Sequence, residues 1–221
     1  MTAHVPHPWR VSAEEGAEIQ NRLREQVCLY NNVGAVSSVV GVDVGFHDHG
    51  ERAQAAAVRY SWPGLRPIES HLGSERVEMP YRSGLLSFRE LPAILAALTR
   101  LSEPPELILC DGQGIAHPRR LGIASHLGVL LDVPTIGVAK TLLVGDHAPV
   151  PTERGSEVAL LDGEERIGTV LRTRSRVRPV YVSPGHRLDC DAASAWALAC
   201  CTRYRLPEPI RAADRLASRG R

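Results

Sequence analysis

Residues 111–140 read DGQGIAHPRRLGIASHLGVLLDVPTIGVAK. The apolar run Leu107-Ile108-Leu109-Cys110 leads into an acid, Asp111, and then directly into a glycine-rich turn. Four apolar residues bounded by turn residues have the look of a short buried strand. Residues 119–131 then read as a helix and 135–138 as a second strand, within an apolar run that ends at Lys140. Strand, helix and strand in succession place this block in an α/β sheet with helices on its faces. Of the 26 lysines and arginines in the chain, Lys140 is the one lysine. Arginine spreads its charge over a planar fork, whereas an ammonium is a compact point charge. A lone lysine therefore marks either a site that needs that compact charge or an incidental strand end.

The flanking sequence extends the same architecture. Upstream, residues 37–44 (SSVVGVDV), 54–60 and 67–73 read as strands, residues 80–84 as a loop, and 87–101 as a helix with Glu90 in its first turn. Ser12 followed by Glu15 is a capping-box pattern, which predicts an amphipathic helix over about 12–30. Downstream, strands are expected near 165–173 and 179–183, and a final helix over 190–203. The expected fold is α/β, a central mixed β-sheet flanked by helices, in one domain spanning 1–221 with a flexible tail after about 216.

Composition sets the class. The 221 residues are 43% hydrophobic and 23% charged, enough apolar material for a sizeable core. The sequence has no apolar run of the length a membrane span requires and no secretory signal pattern. Five cysteines without a Cys-x-x-Cys pair disfavour zinc and a disulfide framework, so a cytoplasmic location is expected. The net charge of +1 is uninformative, but its distribution is not. Arg172, Arg174, Arg176 and Arg178 alternate, so on a strand they would share one face, as a solvated edge or as a phosphate contact surface.

Several residues could carry chemistry. Asp43 interrupts an apolar strand, as Asp111 ends one, and a buried carboxylate needs a partner, a hydrogen bond or a metal. Two such carboxylates at strand ends suit Mg²⁺, which takes one or two carboxylates, water and substrate phosphate; a pair of turn-capping aspartates is the plainer reading. Tyr81 in the loop Pro80-Tyr81-Arg82-Ser83-Gly84 either wedges into a base stack or packs its ring under the loop. Glu90 is explained by the helix dipole unless it partners the aspartates. The glycines at 112 and 114 do not complete a dinucleotide fingerprint. His47-Asp48-His49 on a hairpin tip is poorly disposed as a metal site, His126 reads as a packed helical histidine, and Ser183, His186 and Asp189 lack a nucleophile elbow.

The segments MPYRSGLLSFRE, DGQGIAHPRRLGIASHLGVLLDVPTIGVAK, YVSPGHR and RYRLPEPIRAAD, in this order, resemble the endonuclease V family. The resemblance runs from Trp9 to about Leu216. It implies an RNase H-like fold and a DNA repair endonuclease that hydrolyses the second phosphodiester 3′ to deoxyinosine, leaving 3′-hydroxyl and 5′-phosphate ends. The implied cofactor is Mg²⁺, with Mn²⁺ able to substitute, and the implied metal ligands are Asp43 and Asp111. Glu90, Lys140 and Asp214 match the family's other catalytic positions, and Tyr81 matches its wedge tyrosine. The lesion base is expected to meet Gly84, Gly112, Gly122 and His117, the last either against substrate or as a support of the turn. Arg82-Ser83 stands where relatives often carry an aliphatic residue and proline, which frees the loop backbone. The expected partner is deoxyinosine-containing DNA, with inosine RNA as an alternative and no membrane, and the protein is expected to be a monomer. Rival readings are another RNase H-like nuclease such as a junction resolvase, and a lesion-binding module without turnover.

Overall fold

A computed structural model describes residues 5–219. Strands β1 (Ser38–His47), β2 (Arg52–Ser61) and β3 (Pro67–Arg76) form an antiparallel meander. β4 (Ile108–Asp111) pairs parallel with β1, and β5 (Thr135–Ala139) parallel with β4. β6 (Glu157–Asp162), β7 (Glu165–Leu171) and β8 (Val180–His186) are antiparallel and join the sheet through β8 against β5. The result is one eight-stranded mixed sheet in the order β3-β2-β1-β4-β5-β8-β7-β6.

Successive strand residues face opposite sides of a sheet, and the apolar residues here divide accordingly. Val40, Val42, Ile108 and Cys110 pack against Leu91 and Ile94 of helix α2 (Leu86–Leu98) and Ile123 and Leu127 of α3 (Ile123–Leu131). Val39, Leu107, Leu109 and Val138 pack on the other side against Ala193 and Ala197 of α4 (Cys190–Ala199) and Ile210 and Ala213 of α5 (Glu208–Ala217). The remaining helix, α1 (Ala13–Arg24), sets Ile19 and Leu23 against Phe88 and Leu121. Gly41 lets α5 sit directly on β1, since a Cβ there would lie 2.2 Å from the carbonyl carbon of Pro209. Among the described residues no helix is long and apolar enough to cross a membrane.

The architecture matches the expected α/β class, with local corrections. The capping box forms, Glu15 N donating to Ser12 Oγ at 3.2 Å and Ser12 N to Glu15 Oε2 at 2.7 Å. The helix it starts ends at Arg24 rather than near Tyr30, because the next segment bonds elsewhere: Arg187 N donates to Cys28 O at 2.7 Å and Cys28 N to His186 Nδ1 at 3.2 Å. The helix expected from Arg119 begins at Ile123, since Gly122 N donates to Gly114 O at 2.9 Å and Arg120 turns with φ +55°. The four alternating arginines lie on no strand: β7 stops at Leu171, and residues 172–179 form a turn. Arg172 donates to Pro151 O at 2.9 Å and Val150 O at 2.8 Å, tying that turn down, while Arg174, Arg176 and Arg178 face solvent. The chain stays helical through Ala217, which is buried; residues 220 and 221, in the tail expected to be flexible, lie outside the described residues.

Candidate active site

The parallel pairing of β1 and β4 aligns Val42 with Cys110, so Asp43 and Asp111 follow at one level on neighbouring strands. Neighbouring strands run about 4.8 Å apart, and both residues belong to the face that carries Val39 and Leu109. Two carboxylates at this spacing, largely shielded from water, resist joint ionisation. Burial and then the Asp111 charge push the Asp43 carboxyl up to about 8, and burial raises Asp111 as well. The opposing charge is Lys140, one residue past β5, whose ammonium is bonded to Asp111 Oδ2. Although burial works against its charge, Asp111, Asp43 and Asp214 hold that ammonium above its usual range.

Glu90 does not fit the helix-dipole reading. It lies past the first turn of α2 and is buried at 8% exposure, so the helix dipole does not explain it. Desolvation and then the charges of Asp43 and Asp111 raise its carboxyl well above the usual range. Asp214, on exposed α5 surface, raises Asp43 and Asp111 in turn. The fold thus brings Asp43, Glu90, Asp111, Lys140 and Asp214 into one electrostatic neighbourhood. Among the described residues no three acidic, imidazole or thiol groups close into a cage of protein ligands. An all-oxygen donor set with an open side suits a hard cation that keeps water and takes phosphate oxygens.

Beside the carboxylates lies a cavity of about 100 Å³, reached through Gln113, two residues beyond Asp111. Tyr81, Gly84, His117 and Gly122 line it; Gly112, at φ +140°, does not, and instead makes the turn between Asp111 and Gln113. Tyr81 is 69% exposed at the rim, with the Arg89 guanidinium 5.8 Å from its ring centre. Gly84 holds φ +76°, and its carbonyl accepts Gln20 Nε2 at 2.9 Å, His117 Nε2 at 3.0 Å and Arg119 Nη2 at 2.8 Å. That carbonyl is committed to holding the 80–84 loop. His117 is committed too, its Nδ1 accepting Arg119 N at 3.1 Å; burial and Arg119 lower it to about 4, so it is a neutral support of the turn.

Sequence reasoning missed Gln20, Ser87, Gln113, Ile123 and Leu143 in the cavity wall. Gln20 was detectable as a polar residue on the buried stripe formed by Gly16, Ile19 and Leu23. Gln113 was flanked by two glycines, and its Nε2 donates to Thr141 O at 3.1 Å while its buried Oε1 has no donor among the described residues. Leu143, 44% exposed, comes from the loop after Lys140 and carried no local signal. The residues set aside as incidental have structural partners. Ser183 Oγ accepts Gly114 N, His186 meets Asp132, Asp189 caps α4, and His47 Nε2 bonds Ala217 O.

A mixed sheet with carboxylates at one level of adjacent parallel strands, and an ammonium against one of them, is the plan of an RNase H-like phosphodiesterase. The chain belongs to the endonuclease V family, whose model, described as Endonuclease V, matches residues 21–215, and it is a nuclease. It is 56% identical to the Endonuclease V of Alkalilimnicola ehrlichii over 213 residues, 96% of this chain and 94% of that one. Its structure is similar to that of Endonuclease V from Streptomyces avermitilis, with TM-score 0.91 and 44% identity over 99% and 97% of the two chains. It is also similar to Ciona intestinalis Endonuclease V in complex with a 24mer DNA containing an inosine followed by a ribo-adenosine. There the TM-score is 0.82 and the identity 29%, over 92% of this chain and 95% of the other.

Proposed function

We propose that this nuclease incises DNA containing deoxyinosine, cutting the second phosphodiester 3′ to the lesion and leaving 3′-hydroxyl and 5′-phosphate ends. The observation that carries the reading is the juxtaposition of the Asp43–Asp111 pair with a base-sized cavity two residues along the same chain segment. The inosine-containing DNA held by the Ciona relative supports the substrate class.

Asp43 and Asp111 would hold Mg²⁺, or Mn²⁺ in its place, together with phosphate oxygens of the substrate. Bound there, the cation supplies Lewis-acid polarisation of the phosphate and lowers the pKa of a water. The donors fit: two oxygen ligands stand at one level on adjacent strands, and a divalent cation between them relieves the like-charge repulsion that Lys140 meets only on the Asp111 side. Lys140 places its ammonium where charge grows on the phosphate. Glu90 and Asp214 would hold a second ion or orient the attacking water, Asp214 from the α5 side. Tyr81, exposed at the cavity rim, fills the stack vacated by the extruded base.

The test is strand nicking on matched duplexes with and without one deoxyinosine, and on the corresponding inosine RNA, in Mg²⁺ and in excess chelator. Lesion-dependent nicking that vanishes with chelator and in Asp43→Asn is expected. Nicking of plain DNA at the same rate, or full activity in Asp43→Asn, would overturn the assignment.

A further inference from the structure

One wall of the cavity is the end of a hydrogen-bond chain that reaches the surface. His7 Nδ1 lies 2.9 Å from Pro8 O, His7 Nε2 lies 2.9 Å from His126 Nε2, and His126 Nδ1 lies 2.9 Å from Ser87 Oγ. The direction of every bond follows from the first. A carbonyl only accepts, so His7 Nδ1 carries the hydrogen; a neutral imidazole has one N–H, so His7 Nε2 accepts. His126 must then donate through Nε2 and accept at Nδ1, and the only hydrogen of the Ser87 hydroxyl goes to that Nδ1. Ser87, buried at 2% exposure in the cavity wall, is left with lone pairs alone to offer a ligand.

The surroundings keep both rings neutral. Trp9 and Phe88 pack around them, with ring centres 4.8 and 5.4 Å from His7 and 5.9 and 5.3 Å from His126. The charged group facing His7 is Arg22 of α1, and the titratable group facing His126 is His7. Burial holds both histidines below their ordinary value, His126 at about 3. Elsewhere in the cavity wall stands the opposite polarity. Ile123 opens α3, and its amide has no acceptor among the described residues, so the positive end of the helix offers a donor.

We infer that Ser87 determines base specificity, its Oγ accepting the N1–H of a lactam purine whose 6-oxygen receives the first amide of α3, with His7 and His126 locking the hydroxyl's polarity. Hypoxanthine presents an acceptor at position 6 beside a donor at position 1. Adenine presents the reverse at both positions, which leaves buried groups unpaired and is strongly disfavoured. The inference rests on the cavity being the base site proposed above.

The experiment compares kcat/KM on duplexes carrying deoxyinosine or deoxynebularine, a purine without the 6-oxygen and the N1–H, for the wild type, Ser87→Ala and His7→Ala. Loss of one such hydrogen bond corresponds to on the order of a 10- to 100-fold fall. Ser87→Ala is expected to show that fall on deoxyinosine and no fall on deoxynebularine, whose N1 has no hydrogen to give Oγ. His7→Ala, far from the reacting phosphate, frees the His126 tautomer and is expected to lose activity on deoxyinosine alone, with its melting temperature followed as a control for folding. An equal fall on both duplexes, or no fall in either variant, would overturn the role of Ser87. A wild type that does not prefer deoxyinosine over plain DNA would instead overturn the reading of the site.

Discussion

Gly41→Ala tests whether the contact between β1 and α5 positions the site. The added methyl carbon would lie 2.2 Å from Pro209 C, 2.4 Å from Pro209 O and 2.6 Å from Ile210 N. All three are backbone atoms, so no rotamer change relieves the clash; α5 must retreat by roughly 1 Å to restore ordinary contact. A gap of that size forfeits up to half the dispersion energy of the contacts it opens, here those of the buried Ile210, Ala213 and Ala217. With the 1–3 kcal/mol typical of overpacking, a destabilisation of about 3 kcal/mol is expected. For a domain of this size that is a fall of about 6–12 °C in melting temperature. Asp214 rides on the same helix, and a displacement of this order can reduce a rate by about 100-fold. The assays are thermal unfolding by circular dichroism and single-turnover nicking well below the transition. A variant that melts within about 2 °C of the wild type and nicks at the wild-type rate would refute both the seating of α5 and the dependence of the site on it.

Lys140→Met should slow nicking by about 10²–10³-fold with little change in melting temperature, because a half-exposed ammonium aimed at developing phosphate charge acts mainly in the transition state; single-turnover rates and a melting curve decide it. Tyr81→Ala should leave stability within about 0.5 kcal/mol, since the ring is exposed, while weakening lesion-duplex binding by the 1–3 kcal/mol of one stacking contact, read by fluorescence anisotropy. His126 supplies a pH prediction. Its folded pKa of about 3 lies below the ordinary 6.5, so the unfolded chain takes up the proton first as pH falls. Its contribution is fully present above 6.5 and declines by up to about 1.4 kcal/mol per unit from there toward pH 3. The raised carboxylates oppose this trend, so the measurement is the difference in urea-unfolding free energy between wild type and His126→Gln at pH 5 and 7. A difference that does not change with pH would show that His126 is not held neutral.

Much of the sheet was legible because its strands are short apolar runs punctuated by turn residues, and those runs stay apolar whichever neighbours they acquire. Asp43, Asp111 and Lys140 could be singled out for the same reason: each breaks a local pattern, an acid in a β-branched run or one lysine among arginines. Glu90 was harder. Its local pattern reads as a helix-dipole residue, and its burial within reach of the charges of the two aspartates is decided only by the fold. Helix α5 and strand β6 went unread, because the Arg-rich segment after Cys201 and the acidic hairpin around Asp162 show charge before they show periodicity. The even spacing of arginines at 172–178 would give them one face on a strand, but tertiary hydrogen bonds hold the segment as a turn.

By itself, then, the sequence determined the α/β pattern, the capped start of α1 and which residues carry unusual chemistry, since these follow from local periodicity and composition. Only the tertiary structure decided the level at which Asp43 meets Asp111, the walls of the cavity and the direction of the His7–His126–Ser87 chain. Each depends on strand register or on contacts between residues 39 to 119 positions apart, as between Ser87 and His126 or His7 and His126. The free energy of such contacts comes from desolvation and packing, which exist only once the chain has closed on itself.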